Sequence, residues 1–280
     1  MKHLQKPKIE VDKIVDDCAA SYRNGTRNGL KQKLIDSKDY LKQASIAYDS
    51  AAENGNWEMF KPHITVNGNI SSDDMVNVYD TKFVRVNAIR NKYYDKIMSL
   101  ARTGKCPICG IGHVSTLDHY LAKTIYPTYA ITPYNLVPIC RDCNFEKHDA
   151  SLEPGSSPLH PYYDDVDSYI WLIVLLSFDE NGLVAKYDVN PEMEKDNPQL
   201  YSRMKKHMNL FGLQKAYSIQ SATEIAEYRE LWKVHRLEWK KKAFEEYLRA
   251  SLESKERFQR NTWHTALLRA LIKNIDLLIN

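Results

Sequence analysis

Cys106-Pro-Ile-Cys109 and Cys140-Arg-Asp-Cys143 are two Cys-x-x-Cys knuckles separated by thirty residues, in a chain whose fifth cysteine, Cys18, lies far from both. Four thiolates satisfy the tetrahedral preference of zinc, and a two-residue spacer lets both sulfurs of a knuckle turn toward one ion. Gly104 and Gly110 flank the first knuckle and supply the backbone freedom of a tight turn. Two redox dithiols, an iron–sulfur site and four ordinary buried cysteines are the competing readings. Paired knuckles with glycine neighbours favour zinc. With sulfur in all four positions this zinc is expected to be structural, so catalysis would need a second metal.

Between and after the knuckles lie Thr116-Leu-Asp118-His119-Tyr-Leu-Ala-Lys123, Asn135-Leu-Val-Pro138 and Cys143-Asn144-Phe-Glu-Lys147. If residues 113–117 and 136–139 pair as strands and Asn144 opens a helix, the order is strand, loop, strand, helix. Asp118 and Asn144 then face each other across a small polar cleft. Neighbours on a regular strand point to opposite faces, so Asp118 and His119 can address one site only where the strand ends. Taken alone, an Asp-His dipeptide is more often plain surface; its company here argues otherwise.

The run from Leu117 to Lys123, followed by Asn-Leu-Val-Pro-x-Cys-x-x-Cys-Asn-x-x-Lys, resembles the HNH, or ββα-metal, endonucleases over about residues 93–165. In that resemblance His119 matches the first histidine, Asn135 the central asparagine and Asn144 the final His or Asn. Ala122 departs from it, standing where this subgroup often has proline. The family implies metal-dependent hydrolysis of phosphodiester bonds, and the residue chemistry agrees. An imidazole titrating near ~6.5 can take a proton from water at neutral pH, which makes His119 the expected general base. Asp118 and Asn144 offer hard oxygen ligands suited to Mg²⁺ or Mn²⁺, an ion that would stabilise the leaving 3′ oxygen. Asn135 is expected to brace the loop and orient His119. Lys123 and Lys147 are the expected phosphate contacts. His113, His148 and His160 receive no catalytic role, because a lone histidine is more often core or surface. His160-Pro-Tyr-Tyr-Asp164 is assigned the packing of the following domain onto the module.

The elements that must position these residues are mainly helical. Residues 11–53 carry apolar residues at helical spacing, with Gly25 and Gly29 expected to divide them into two helices. Residues 54–74 read as a loop leading to an N-cap, and a helix through Tyr93, Ile97 and Leu100 is expected to end at Gly104. Trp171 to Phe178 and Leu183 to Val189 flank Asp179-Glu-Asn-Gly182, a hairpin signal. From Pro198 the pattern is helical, with one long stretch over 217–253, packing tryptophans at 232, 239 and 263, and a last helix capped at Asn261 or Thr262. The expected fold is α+β: a mainly helical protein with a central zinc-bound ββα-metal module and a small β-hairpin. The expected regions are 1–80, 81–165 and 166–280.

The 280 residues carry 39 basic and 36 acidic side chains, a net charge of +3 that identifies no partner. Seven basic residues against one acid between Lys82 and Lys105 make either a phosphate-facing approach or a solvated helix face. The basic start lacks the apolar core of a secretory signal, and the apolar run 169–178 is half of what a membrane span needs, so it is read as a buried strand or helix. Four cysteines in tight pairs and a lone Cys18, with no disulfide-framework pattern, suit a reducing, cytoplasmic setting, with Cys18 as a small core residue. The leading expectation is a DNA endonuclease using Zn²⁺ for structure and Mg²⁺ or Mn²⁺ for chemistry. The alternative is a non-catalytic zinc module that binds nucleic acid or protein. The resemblance extends to nuclease subunits of bacterial anti-phage systems, Septu-type and retron-linked, that act with an ATPase. No phosphate-loop motif is present in this chain, so an ATPase partner would supply that function.

Overall fold

The computed structural model describes residues 1–23, 29–147, 157–180 and 182–279. Gly25 and His148 lie outside them. The chain divides into two compact units, His3–Asp164 and Asp165–Asn280 with Met1–Lys2. Both are mainly helical, with small antiparallel sheets.

The first unit begins with α1 (Val11–Ala20), α2 (Leu30–Asp36) and α3 (Lys38–Glu53). Three helices stand where two were expected, because the chain breaks again at Ser37, whose backbone leaves helical geometry. A two-residue ladder, β1 (Thr65–Val66) with β2 (Ile70–Ser71), interrupts the expected loop, and Ser71 caps α4 (Ser72–Asn77) by accepting from Asp74 N. Wide helical turns at Val78–Phe83 and Arg90–Tyr94 flank α5 (Asn87–Ile89) and lead into α6 (Asp95–Met98). Then come β3 (Thr116–His119), β4 (Leu136–Ile139) and α7 (Arg141–Lys147). One core runs through residue 80 without interruption: Ile14, Leu34, Leu41, Phe83, Ile97, Leu117 and Leu136 belong to a single buried cluster. Cys18 sits in it, fully buried, and burial pushes its thiol up to about 12. The His160 segment closes this same unit: Tyr162 OH donates to Leu136 O on β4 at 2.7 Å and His160 N to Asp164 Oδ2 at 2.7 Å.

In the second unit β5 (Leu172–Asp179) and β6 (Gly182–Val189) form the expected hairpin. It is followed by α8 (Glu192–Asp196), α9 (Pro198–Leu210), α10 (Leu213–His235), α11 (Lys241–Phe258), α12 (Trp263–Lys273) and α13 (Ile275–Ile279). The single long helix expected over 217–253 is two, parted at residues 236–240. Thr262 caps α12 in a reciprocal box with Thr265. Asn261 is buried and ties Tyr169 O and Trp171 N to the start of that helix. Within the run 169–178 the strand begins at Leu172 and is only half buried, with Leu175 61% and Phe178 53% exposed. No helix among the described residues is long and apolar enough to cross a membrane.

Candidate functional site

The first knuckle is a backbone turn closed on itself. Gly110 N donates to Cys106 O and Cys106 N to Gly112 O, each at 2.8 Å, with Gly104 and Gly110 at positive φ. The second knuckle is the first turn of α7: Cys143 N donates to Cys140 Sγ at 3.5 Å and Asn144 N to Cys140 O at 3.0 Å. The sulfur therefore does the capping, and the helix opens at Arg141 rather than at Asn144. All four sulfurs lie within 4.8 Å of one another and are buried. Two sulfurs on a zinc tetrahedron with ~2.3 Å bonds are separated by about 3.8 Å, and Cys109 Sγ lies 3.8 Å from Cys140 Sγ. The cluster is thus of a size and donor type to hold a metal ion such as zinc. Gly112, absent from the sequence-based candidates, is what lets the knuckles meet. A Cβ there would fall 2.8 Å from Cys140 Cβ and 2.9 Å from its Sγ. Nothing in its local sequence announces that approach.

Stapled in this way, β3 and β4 pair antiparallel with Asp118 opposite Val137 and His119 opposite Leu136. His119 is the last residue of β3, so the strand ends where the two neighbours need to diverge. A cleft of about 580 Å³ is lined by Asp118, His119, Lys123, Arg141, Asn144 and Lys147. Asp118 and Asn144 therefore border one space, and its volume exceeds the roughly 180 Å³ that six waters at ~30 Å³ each occupy.

His119 Nε2 lies 2.8 Å from Ala130 O. A carbonyl only accepts, so Nε2 carries the proton and Nδ1 is the nitrogen with a bare lone pair. Tyr79 stands edge-on to the ring with centroids 4.4 Å apart. Burial pushes the imidazole down to about 3, outweighing the Ala130 bond that favours the charged form, and Lys123 and Lys147 push the same way. The ring is neutral throughout the physiological range.

Asn135 is fully buried and spends its amide on the loop. Nδ2 donates to Leu121 O (2.9 Å) and Tyr129 O (3.1 Å), while Oδ1 accepts from Leu121 N (2.7 Å) and Tyr48 OH (3.2 Å). It braces the loop as expected, but the bond that orients His119 comes from Ala130, a residue the sequence reading passed over.

The two lysines are placed differently from each other. Lys147, expected to contact phosphate, is 3% exposed, ion-paired with Asp118 Oδ2 at 2.8 Å and donating to His119 O at 2.6 Å. A lysine so buried and committed positions β3 against α7 instead. Lys123 lines the cleft, paired with Asp80 at 2.5 Å and lying over the Tyr79 ring at 4.5 Å. The exposed cation on the rim is Arg141, one helical turn before Asn144. Helical phase is consistent with this: at roughly 100° per residue Cys143 and Lys147 share the inner face of α7, Arg141 lies about 120° round from Lys147, and Asn144 falls between the two. Of the basic run 82–105, Lys82, Arg90, Lys92 and Lys105 are engaged with Ser21 O, Asp95, Asp17 and Ile111 O.

Over 173 residues the chain is 27% identical to Protein ea31 of Escherichia phage lambda. That match covers 60% of this chain and 57% of the relative, so the chain spans little more than half of that protein's length. No family model and no solved structure matches. His160, set aside at the outset, stacks on Trp57 with centroids 5.5 Å apart and receives Tyr162 N on Nδ1 at 3.1 Å, so it is part of the aromatic packing.

Proposed function

We propose that this chain is an HNH-type endonuclease hydrolysing phosphodiester bonds in DNA, with zinc in the four-cysteine clamp. The observation that carries the reading is the imidazole of His119. It is neutral by burial, fixed as the Nε2–H tautomer by Ala130, and borders a cleft together with the oxygen donors of Asp118 and Asn144. In this reading Nδ1 takes the proton of the attacking water, and Asp118 and Asn144 hold a Mg²⁺ or Mn²⁺ ion. That ion, when bound, neutralises charge on the leaving 3′ oxygen. Arg141 and Lys123 hold the flanking phosphates, and Lys147 keeps Asp118 and the His119 backbone in register. A carboxylate offers about four lone-pair positions, so Asp118 can serve both Lys147 and a cation.

One observation favours the non-catalytic alternative, a zinc module that binds nucleic acid or protein: the Lys147 ammonium already neutralises the Asp118 carboxylate. Plasmid nicking separates the two. Protein at fixed zinc content is assayed with and without Mg²⁺ or Mn²⁺, and nicking that requires the added ion supports the enzyme. Binding without nicking under every metal supports the alternative. By analogy with the defence-linked nucleases it resembles, the chain is further proposed to act in the cytoplasm in anti-phage defence with an ATPase partner. Co-elution with the product of a neighbouring gene is the expected result, and separate elution counts against that context.

A further inference from the structure

Among the described residues the β5–β6 hairpin of the second unit has one covered edge and one open edge. Its register runs from Leu172↔Val189 to Asp179↔Gly182 without a bulge. The closing pair of a two-residue hairpin loop exchanges hydrogen bonds, and bonded pairs alternate along an antiparallel ladder. Leu172, Val174, Leu176 and Phe178 therefore turn their backbone N–H and C=O groups away from β6. The same alternation turns Ala185 O outward on β6, where Ser218 of α10 donates to it at 2.7 Å. That edge is covered. On β5, no backbone hydrogen bond from outside the hairpin reaches residues 172–178 among the described residues.

Folded proteins guard such edges with lysine, proline, a bulge or an inward charge. The segment Leu-Ile-Val-Leu-Leu-Ser-Phe from 172 to 178 has none of these. Leu175 is 61% exposed, on the sheet face it shares with exposed Lys186, while the opposite face buries Leu183, Ala185, Tyr187 and Val189. We propose that β5 pairs antiparallel with β5 of a second copy of this chain, about a two-fold axis at Leu175.

The strand is self-complementary in that register. Leu172 of one copy would stand opposite Phe178 of the other, and Val174 opposite Leu176, so all four outward-facing positions exchange hydrogen bonds. Leu175 would face its own counterpart at a non-bonded position, where opposed side chains come closest. No charge lies within 172–178, so the symmetric pairing sets no like charges against each other, and an isologous contact satisfies both edges at once. Phe178, 53% exposed, gains cover from the partner strand.

Sedimentation velocity of the full chain over a concentration series is expected to show a monomer–dimer equilibrium. Leu175→Lys, with its side chain off the helix-packed face, is expected to remain monomeric at every concentration with an unchanged circular dichroism spectrum. Leu175→Cys is expected to form a disulfide-linked dimer under mild oxidation, because directly opposed residues meet disulfide geometry. Ser177→Cys, two residues from the axis, is expected not to. A wild-type chain that stays monomeric throughout, a dimer that survives Leu175→Lys, or equal cross-linking by the two cysteine variants would overturn the proposal.

Discussion

The ββα segment and the hairpin unit solve the same folding problem with different means. In the first, two four-residue strands and a seven-residue helix surround a polar cleft, and elements that short do not stand alone in water. Leu117 and Leu136 tie the strands into the unit's apolar core, and on the cleft side four cysteines placed to hold a metal ion, the Lys147–Asp118 pair and the Asn135 amide add cohesion without filling the cleft. In the second, helices of up to 23 residues and a hairpin of two eight-residue strands bury Trp171, Tyr187, Leu267 and Leu271. Ordinary packing and a capping box suffice there. Where polar groups cluster, residues able to form cross-links of their own kind cluster with them.

That contrast can be broken experimentally, beginning with metal. Zinc removal, or Cys140→Ser, is expected to unfold the ββα segment, because the apparent ~10–16 kcal/mol of a structural zinc site doubles as folding energy. Hydrogen exchange resolved by segment should show loss of protection in β3, β4 and α7 and retention in α10 and α12; uniform loss, or none, would contradict the contrast. Lys147→Ala is expected to cost about 3 kcal/mol in denaturant unfolding, since it strands a poorly solvated carboxylate. A change under ~0.5 kcal/mol would return Lys147 to the surface. Arg141→Ala, an outer-face change, should leave stability alone and weaken DNA binding about tenfold, lowering the salt slope by about one. An unchanged slope would remove Arg141 from the phosphate contacts. Thr262→Ala in the other unit should cost about 1 kcal/mol of stability and leave DNA binding untouched.

Much of the cleft is legible in the sequence, because cysteine spacing and the identities of His119, Asp118, Asn135 and Asn144 are properties of residue type. What escaped depends on the third dimension. The close pass of Gly112 against Cys140 has no local signal. The start of α7 shifted to Arg141 because a cysteine sulfur took the place of a usual capping oxygen. The helix break at 236–240 contains no glycine or proline and is written in good helix formers, so periodicity ran straight through it. The different exposure of Lys147 and Arg141 is partly legible in helical phase, since six residues at roughly 100° each set the two side chains about 120° apart around α7.

Single-turnover plasmid nicking by wild type and His119→Ala tests whether the buried, neutral imidazole is the proton acceptor proposed for phosphodiester hydrolysis. With zinc content and melting matched, the variant is expected to be slower by ~10²–10⁴, and the wild-type rate to hold without inflection through the ordinary imidazole range near ~6.5. Equal rates from the two proteins would contradict the account.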